Sequence, residues 1–170
     1  MKNYFLIFLS FLFFISCSQN QEDEIILEKG ISFELAKYRK KQISKVVYTL
    51  HFKIPKEKKL PIYSRLEIDF IVNDLKNNVF LDFNEATSNL KSIQVNDKYS
   101  KIYHQKEHII LDKKLLTLGS NSVELFFIAG EKSLNRNEDF LYTLLVPDRA
   151  STLFPCFDQP DIKARYNLKI

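Results

Sequence analysis

Over residues 46–54 the chain alternates without a break. Val46, Tyr48, Leu50, Phe52 and Ile54 fall on one side, and Val47, Thr49, His51 and Lys53 on the other. A period of two places successive side chains on opposite faces of an extended strand, so one face of this segment needs a core. Leu66, Ile68, Phe70 and Val72 alternate in the same way with Arg65, Glu67, Asp69 and Ile71, and the prolines and charges of residues 55–61 read as the turn between them. Residues 79–83, Ile93 and Val95 before the Asn96-Asp97 turn, and residues 108–111, 123–129 and 140–146 bring the total to about seven strands. Ahead of them Ser32 can cap a helix over residues 33–43, with Leu35, Ala36 and Ile43 inward and Lys37, Arg39, Lys40 and Lys41 outward. The expected fold is all-β: an antiparallel sandwich or curved, saddle-like sheet preceded by one short helix.

The N-terminus has a different character. Lys2 precedes an apolar run over residues 4–15, which is the length of a secretory signal's apolar region and too short to span a bilayer. Ile15-Ser16-Cys17 resembles a bacterial lipobox, although Phe14 stands where that motif prefers Leu. Residues 1–16 are therefore expected to be a lipoprotein signal peptide and Cys17 the lipidated residue. Residues 17–29, in which the polar SQNQEDE stretch follows Cys17, read as a flexible tether, and residues 30–170 as the β domain.

The remaining composition excludes several chemistries. The 170 residues carry 25 Lys and Arg against 21 Asp and Glu, a net +4 that gives no reason to expect nucleic acid. Three scattered glycines cannot build a phosphate-cradling loop, and two cysteines cannot build a Cys-rich zinc site. His104-Gln-Lys-Glu107-His108 matches the inverted zinc protease motif H-x-x-E-H. That motif needs a helix, whereas Tyr103 before it and Ile109-Ile110-Leu111 after it favour strand. On a continuous strand the two histidines share a face but stand about 13 Å apart, too far for one ion. The segment reads as a polar hairpin tip. His51 reads as a surface histidine, and Cys156, among Leu153, Phe154 and Phe157, as a buried inert thiol.

The most specific text is Phe154-Pro155-Cys156-Phe157-Asp158-Gln159-Pro160, followed by Lys163-Ala164. It resembles the F-P-C-F-D-E-P…K-A signature of aminopeptidase N-like zinc metallopeptidases, where it lies near the end of an N-terminal β domain. The resemblance covers residues 28–170. The two prolines fix the backbone on either side of Asp158, which can accept local N–H groups, so the signature residues Phe154, Pro155, Cys156, Phe157, Asp158 and Pro160 read as a structural corner and not as catalytic groups. Two positions depart from the family. Leu144 stands where members place a Gln that helps hold the substrate's free amine, and Gln159 replaces a Glu.

What the resemblance implies is the N-terminal, non-catalytic part of a lipid-anchored zinc metallo-aminopeptidase. The family's H-E-x-x-H site and its G-A-M-E-N strand lie beyond the signature, and this chain stops at Ile170 within a further alternating run, so it reads as truncated. No catalytic residue, metal ligand or cofactor is expected in the chain itself. Zinc is implied for the full-length enzyme, and peptides are the implied partners of the missing catalytic domain. Cys17 implies a membrane partner in a Gram-negative envelope: an outer-membrane lipoprotein, either periplasmic or surface-exposed. The alternative reading is a stand-alone β-sandwich lipoprotein that binds peptide or protein.

Overall fold

The computed structural model describes residues 25–170, so Cys17, the signal peptide and the first part of the tether lie outside the described residues. Helix α1 (Phe33–Gln42) starts where Ser32 Oγ accepts the backbone N–H of Leu35. Glu34 in its first turn and Arg39, Lys40 and Lys41 in its last suit the helix dipole. Ile43, expected in the helix, is instead the first residue of β1 (Ile43–Lys53), which pairs antiparallel with β2 (Tyr63–Val72). Each buries the alternating face read from the sequence.

The next elements are β3 (Val79–Asp82), β4 (Leu90–Val95), β5 (Lys98–Ser100), β6 (His104–Gln105), β7 (His108–Leu111) and β8 (Gly119–Ile128). They are followed by β9 (Leu134–Arg136), β10 (Leu141–Thr143) and β11 (Ala164–Lys169). Asn96 and Asp97 have φ of 50° and 62°, the left-handed pair that a two-residue hairpin turn between β4 and β5 requires. The strands form a six-stranded sheet in the order β11-β1-β2-β8-β4-β5, a three-stranded sheet β3-β7-β6 and a β9-β10 hairpin. The first two sheets share one apolar core that includes Tyr48, Leu66, Ile68, Leu81, Phe83, Ile109 and Phe127. All four residues of β3 are buried, which is why that segment shows no alternation. A smaller cluster of Leu27, Leu35 and Phe80 seats α1 and the segment before it.

The all-β expectation holds, with corrections. The main sheet is mixed: β11 runs parallel to β1, with Val46 opposite Ala164 and Leu50 opposite Leu168. The chain before β11 packs on β1 and β2, with Phe154 against Tyr48 and Phe52 and Phe157 against Phe70. Residues 140–146 supply only the three-residue β10, and all three are exposed. Arg39, expected outward, is 1% exposed. It falls four residues after Leu35 and three before Gln42, on the helix's buried face.

Candidate functional site

The residues with chemical potential converge on Asp82, at the end of β3. Its backbone makes an isolated antiparallel bridge with Cys156: Asp82 N–H donates to Cys156 O at 2.7 Å, and Cys156 N–H returns to Asp82 O at 3.0 Å. That bridge ties the signature loop to the three-stranded sheet. The Asp82 carboxylate then accepts four bonds. Arg39 Nη1 and Nη2 reach its two oxygens at 2.8 and 2.7 Å, His108 Nδ1 reaches Oδ1 at 2.8 Å, and Asp158 N–H reaches Oδ2 at 2.8 Å. Burial pushes the Asp82 carboxyl up, but the Arg39 charge and these donors outweigh it, so Asp82 sits below the ordinary carboxylate value.

The signature residues surround this pair. The Arg39 guanidinium lies 5.7 Å from the centre of the Phe157 ring, and Phe157 N–H donates to Tyr48 Oη at 2.9 Å. Phe154 meets Tyr48 and Phe52 edge to face, and Tyr48 stacks on Tyr166 of β11 at 4.8 Å. Asp158 Oδ2 accepts Ser151 N–H at 2.9 Å, closing the turn before the loop; burial leaves its carboxyl above the ordinary value. Gln159 Nε2 donates to Ala36 O in α1 and to Asp161 Oδ1, and Lys40 pairs with Asp161 at 2.8 Å. Pro155 is buried and Pro160 exposed. Six of the seven signature residues thus lie in or against the junction of helix, both sheets and β11.

Cys156 is fully enclosed, and burial pushes its thiol well above the ordinary value, away from the thiolate that nucleophilic chemistry requires. Leu144 is 53% exposed, and His51 is exposed on the outer face of β1.

The HQKEH segment is a hairpin tip, with φ of 50° and 70° at Lys106 and Glu107. The tip is the hairpin read from the sequence, but its second histidine does not face solvent: His108 is 0% exposed. The register also corrects the expected geometry. Gln105 faces His108 and His104 faces Ile109 across the ladder, so the two histidines lie on opposite faces of the hairpin and not on one. His104 lies between Thr87 Oγ1 and Phe83 O, each at 2.9 Å. His108 Nε2 faces Glu28 O and Gly30 O at 2.9 Å, Glu107 Oε2 accepts Gly30 N–H, and Lys106 Nζ donates to Leu27 O. The segment fastens residues 27–30 to the sheet. These residues do not fit a zinc ion: the histidines diverge, and each ring nitrogen already faces a protein partner. Among the described residues no group of three or more His, Cys, Asp or Glu is placed to hold a metal.

The Arg39–Asp82–His108 network was not read from the sequence. The signals for it were an arginine in phase with Leu35 and a lone acid inside the apolar run VFLDF.

No protein-family model and no curated protein matches the chain by sequence. Solved structures match it by shape. The M1 zinc metallopeptidase of Deinococcus radiodurans superposes with a TM-score of 0.59 at 13% identity, covering 75% of this chain and 32% of its own. Leukotriene A4 hydrolase of Saccharomyces cerevisiae gives 0.61 at 15% identity, with 75% and 23% covered. Aminopeptidase A of Legionella pneumophila gives 0.57 at 18%, with 75% and 15% covered. The chain spans a third or less of the length of these structures. Around its FPCFDQP hub, the chain has the fold that M1 zinc metallopeptidases and leukotriene A4 hydrolase contain as one part of a longer protein.

Proposed function

We propose that residues 30–170 are the N-terminal, non-catalytic β domain of a lipid-anchored zinc metallo-aminopeptidase. The observation that carries this reading is the position of the FPCFDQP loop. The residues that resemble the family's signature lie at the junction that holds together a fold shared with M1 metallopeptidases over 75% of the chain. The site is built for rigidity: its acid is neutralised by Arg39, its thiol is enclosed, and its ring nitrogens are occupied. Zinc belongs to a separate catalytic domain in this reading, where it supplies an activated water for release of N-terminal residues from peptides. Cys17 carries the lipid, placing the protein in a Gram-negative envelope on the outer membrane.

Two measurements test the proposal. The full chain, assayed with aminoacyl-chromogenic substrates and added zinc, is expected to release nothing. Genomic DNA read past codon 170 is expected to encode H-E-x-x-H, in frame or after a frameshift. An unrelated gene at that place, together with peptide capture by the chain, favours a binding module instead.

A further inference from the structure

We propose that the exposed face of α1 that carries Phe33, Lys37 and Lys41 rests on a bilayer surface bearing anionic phospholipid. It acts as a second membrane contact beside the lipid on Cys17, and so rests on the anchor reading above. The first observation is apolar exposure where none is needed for folding. Phe33 is 75% exposed at the start of α1, and Ile26 is 77% exposed in the segment before it, while the cluster of Leu27, Leu35 and Phe80 seats both.

The second observation is charge. Leu35, Arg39 and Gln42 are the buried residues of α1. Phe33, Lys37 and Lys41 follow one another at four-residue spacing along a different, exposed face. Arg39 is spent on Asp82 and Lys40 on Asp161, whereas Lys29, Lys37 and Lys41 make no ion pair among the described residues. Glu34, three residues before Lys37, lies on the same side of the helix, where Lys37 and Lys41 outnumber it. An aromatic residue leading a row of unpaired lysines is the arrangement that binds the headgroup boundary: the ring enters the interface and the ammonium groups meet phosphate.

The third observation is reach. Eight Cα steps separate Cys17 from Ile25, no more than about 28 Å even when fully extended. An acylated Cys17 therefore keeps Ile25, and the start of the described chain, within about 3 nm of the bilayer. At that distance a weak surface contact becomes an intramolecular one with a high effective concentration.

The test uses the full chain expressed with its own leader in a Gram-negative host and reconstituted into vesicles of phosphatidylethanolamine and phosphatidylglycerol. Glu34→Cys, beside Phe33, and Tyr99→Cys, in β5, each carry an environment-sensitive fluorophore, and spin-labelled lipid serves as quencher. Cys156 is enclosed and stays unlabelled. Mass spectrometry of the N-terminal peptide reads the lipid on Cys17 separately. The expected result is acylated Cys17 and several-fold stronger quenching at position 34 than at 99. The difference should vanish with Lys37→Glu and Lys41→Glu combined, or when phosphatidylcholine replaces the anionic lipid. Acylated Cys17 with equal, weak quenching at both positions overturns the docking face alone. An unmodified Cys17 overturns the anchor reading and this inference with it. Quenching at 34 that ignores both the lysine changes and lipid charge also overturns it, because purely apolar adsorption then suffices.

Discussion

Arg39 Nη2 lies 2.7 Å from Asp82 Oδ1, and the two side chains are 1% and 6% exposed. The pair joins a helix to a strand 43 residues away, inside an otherwise apolar interior. Removing one partner leaves an uncompensated charge in low dielectric. Arg39→Met is therefore expected to lower unfolding free energy by about 3–5 kcal/mol. Urea denaturation measures it, and the Arg39→Met, Asp82→Asn double variant should recover part of the loss. A single variant within 1 kcal/mol of the parent, taking that as the scale of an ordinary exposed pair, contradicts the coupling.

The pair also sets the acid limb of stability. Burial opposes ionisation of Asp82, but Arg39 and the hydrogen bonds from His108 and Asp158 hold its folded-state carboxyl below the ordinary carboxylate value. A depressed carboxyl contributes stability that is complete above its unfolded value and is lost as pH falls through its folded value. Asp158 has the opposite sign: burial raises it, so its folded form favours the proton and its ionisation works against folding near neutrality. Asp158→Asn keeps an oxygen for Ser151 N–H. It is expected to leave stability at pH 7 unchanged or higher, whereas Asp82→Asn lowers it and flattens the loss below about pH 4. Thermal melts of both variants across pH 3–7 compare the two slopes, and a fall at pH 7 in Asp158→Asn would reverse the assigned sign.

What the sequence shows and hides follows from which forces act locally. The β1–β2 pairing was readable because one buried face stamps a period of two on the chain, and Tyr48, Leu50, Leu66 and Ile68 obey it. The hairpin turns at Asn96-Asp97 and Lys106-Glu107 are local as well. Burial of Arg39 and His108 was hidden because each is made tolerable by Asp82, 43 and 26 residues away, and side-chain polarity alone argues for the surface. The parallel placement of β11 was hidden for a similar reason: its strand pattern fixes which face is apolar but not which neighbour it joins. The signature residues were readable as a rigid corner, but their partners Tyr48, Ser151 and Ala36 were not.

His108 closes the junction from the other side. Its ring spans Asp82 and the carbonyls of Glu28 and Gly30, so His108→Ala breaks the polar link between the three-stranded sheet and residues 28–30. The expected cost is about 1–3 kcal/mol, with faster hydrogen exchange in residues 27–31 than elsewhere. His104→Ala, on the opposite face of the hairpin, should not loosen that segment. Neither variant should change zinc content after dialysis, since the two rings share no coordination sphere. Equimolar zinc retained by the parent and lost in both variants contradicts this geometry.

The last prediction concerns Gly130, just beyond β8, where the chain passes closest to the turn that precedes the signature. Gly130 N–H donates to Leu153 O at 3.0 Å, and a Cβ built on Gly130 meets Thr152 O at 2.1 Å and Glu85 Cγ at 2.8 Å. The first contact is with backbone, so no side-chain rotation relieves it. Gly130→Ala must push the turn of residues 150–152 outward, which strains the Asp158–Ser151 bond and the Cys156–Asp82 bridge behind it. Overpacking of this kind costs about 1–3 kcal/mol. Displacement of the loop should also open Cys156, which is enclosed in the parent. Gly130→Ala is therefore expected to melt earlier and to let a thiol reagent reach Cys156 faster than in the parent under native conditions. Gly30→Ala, where a Cβ meets nothing within 4 Å, serves as the control for a glycine whose φ of 73° alone is at stake. It should lose stability without exposing the thiol, and equal Cys156 reactivity in both variants contradicts a close approach specific to Gly130.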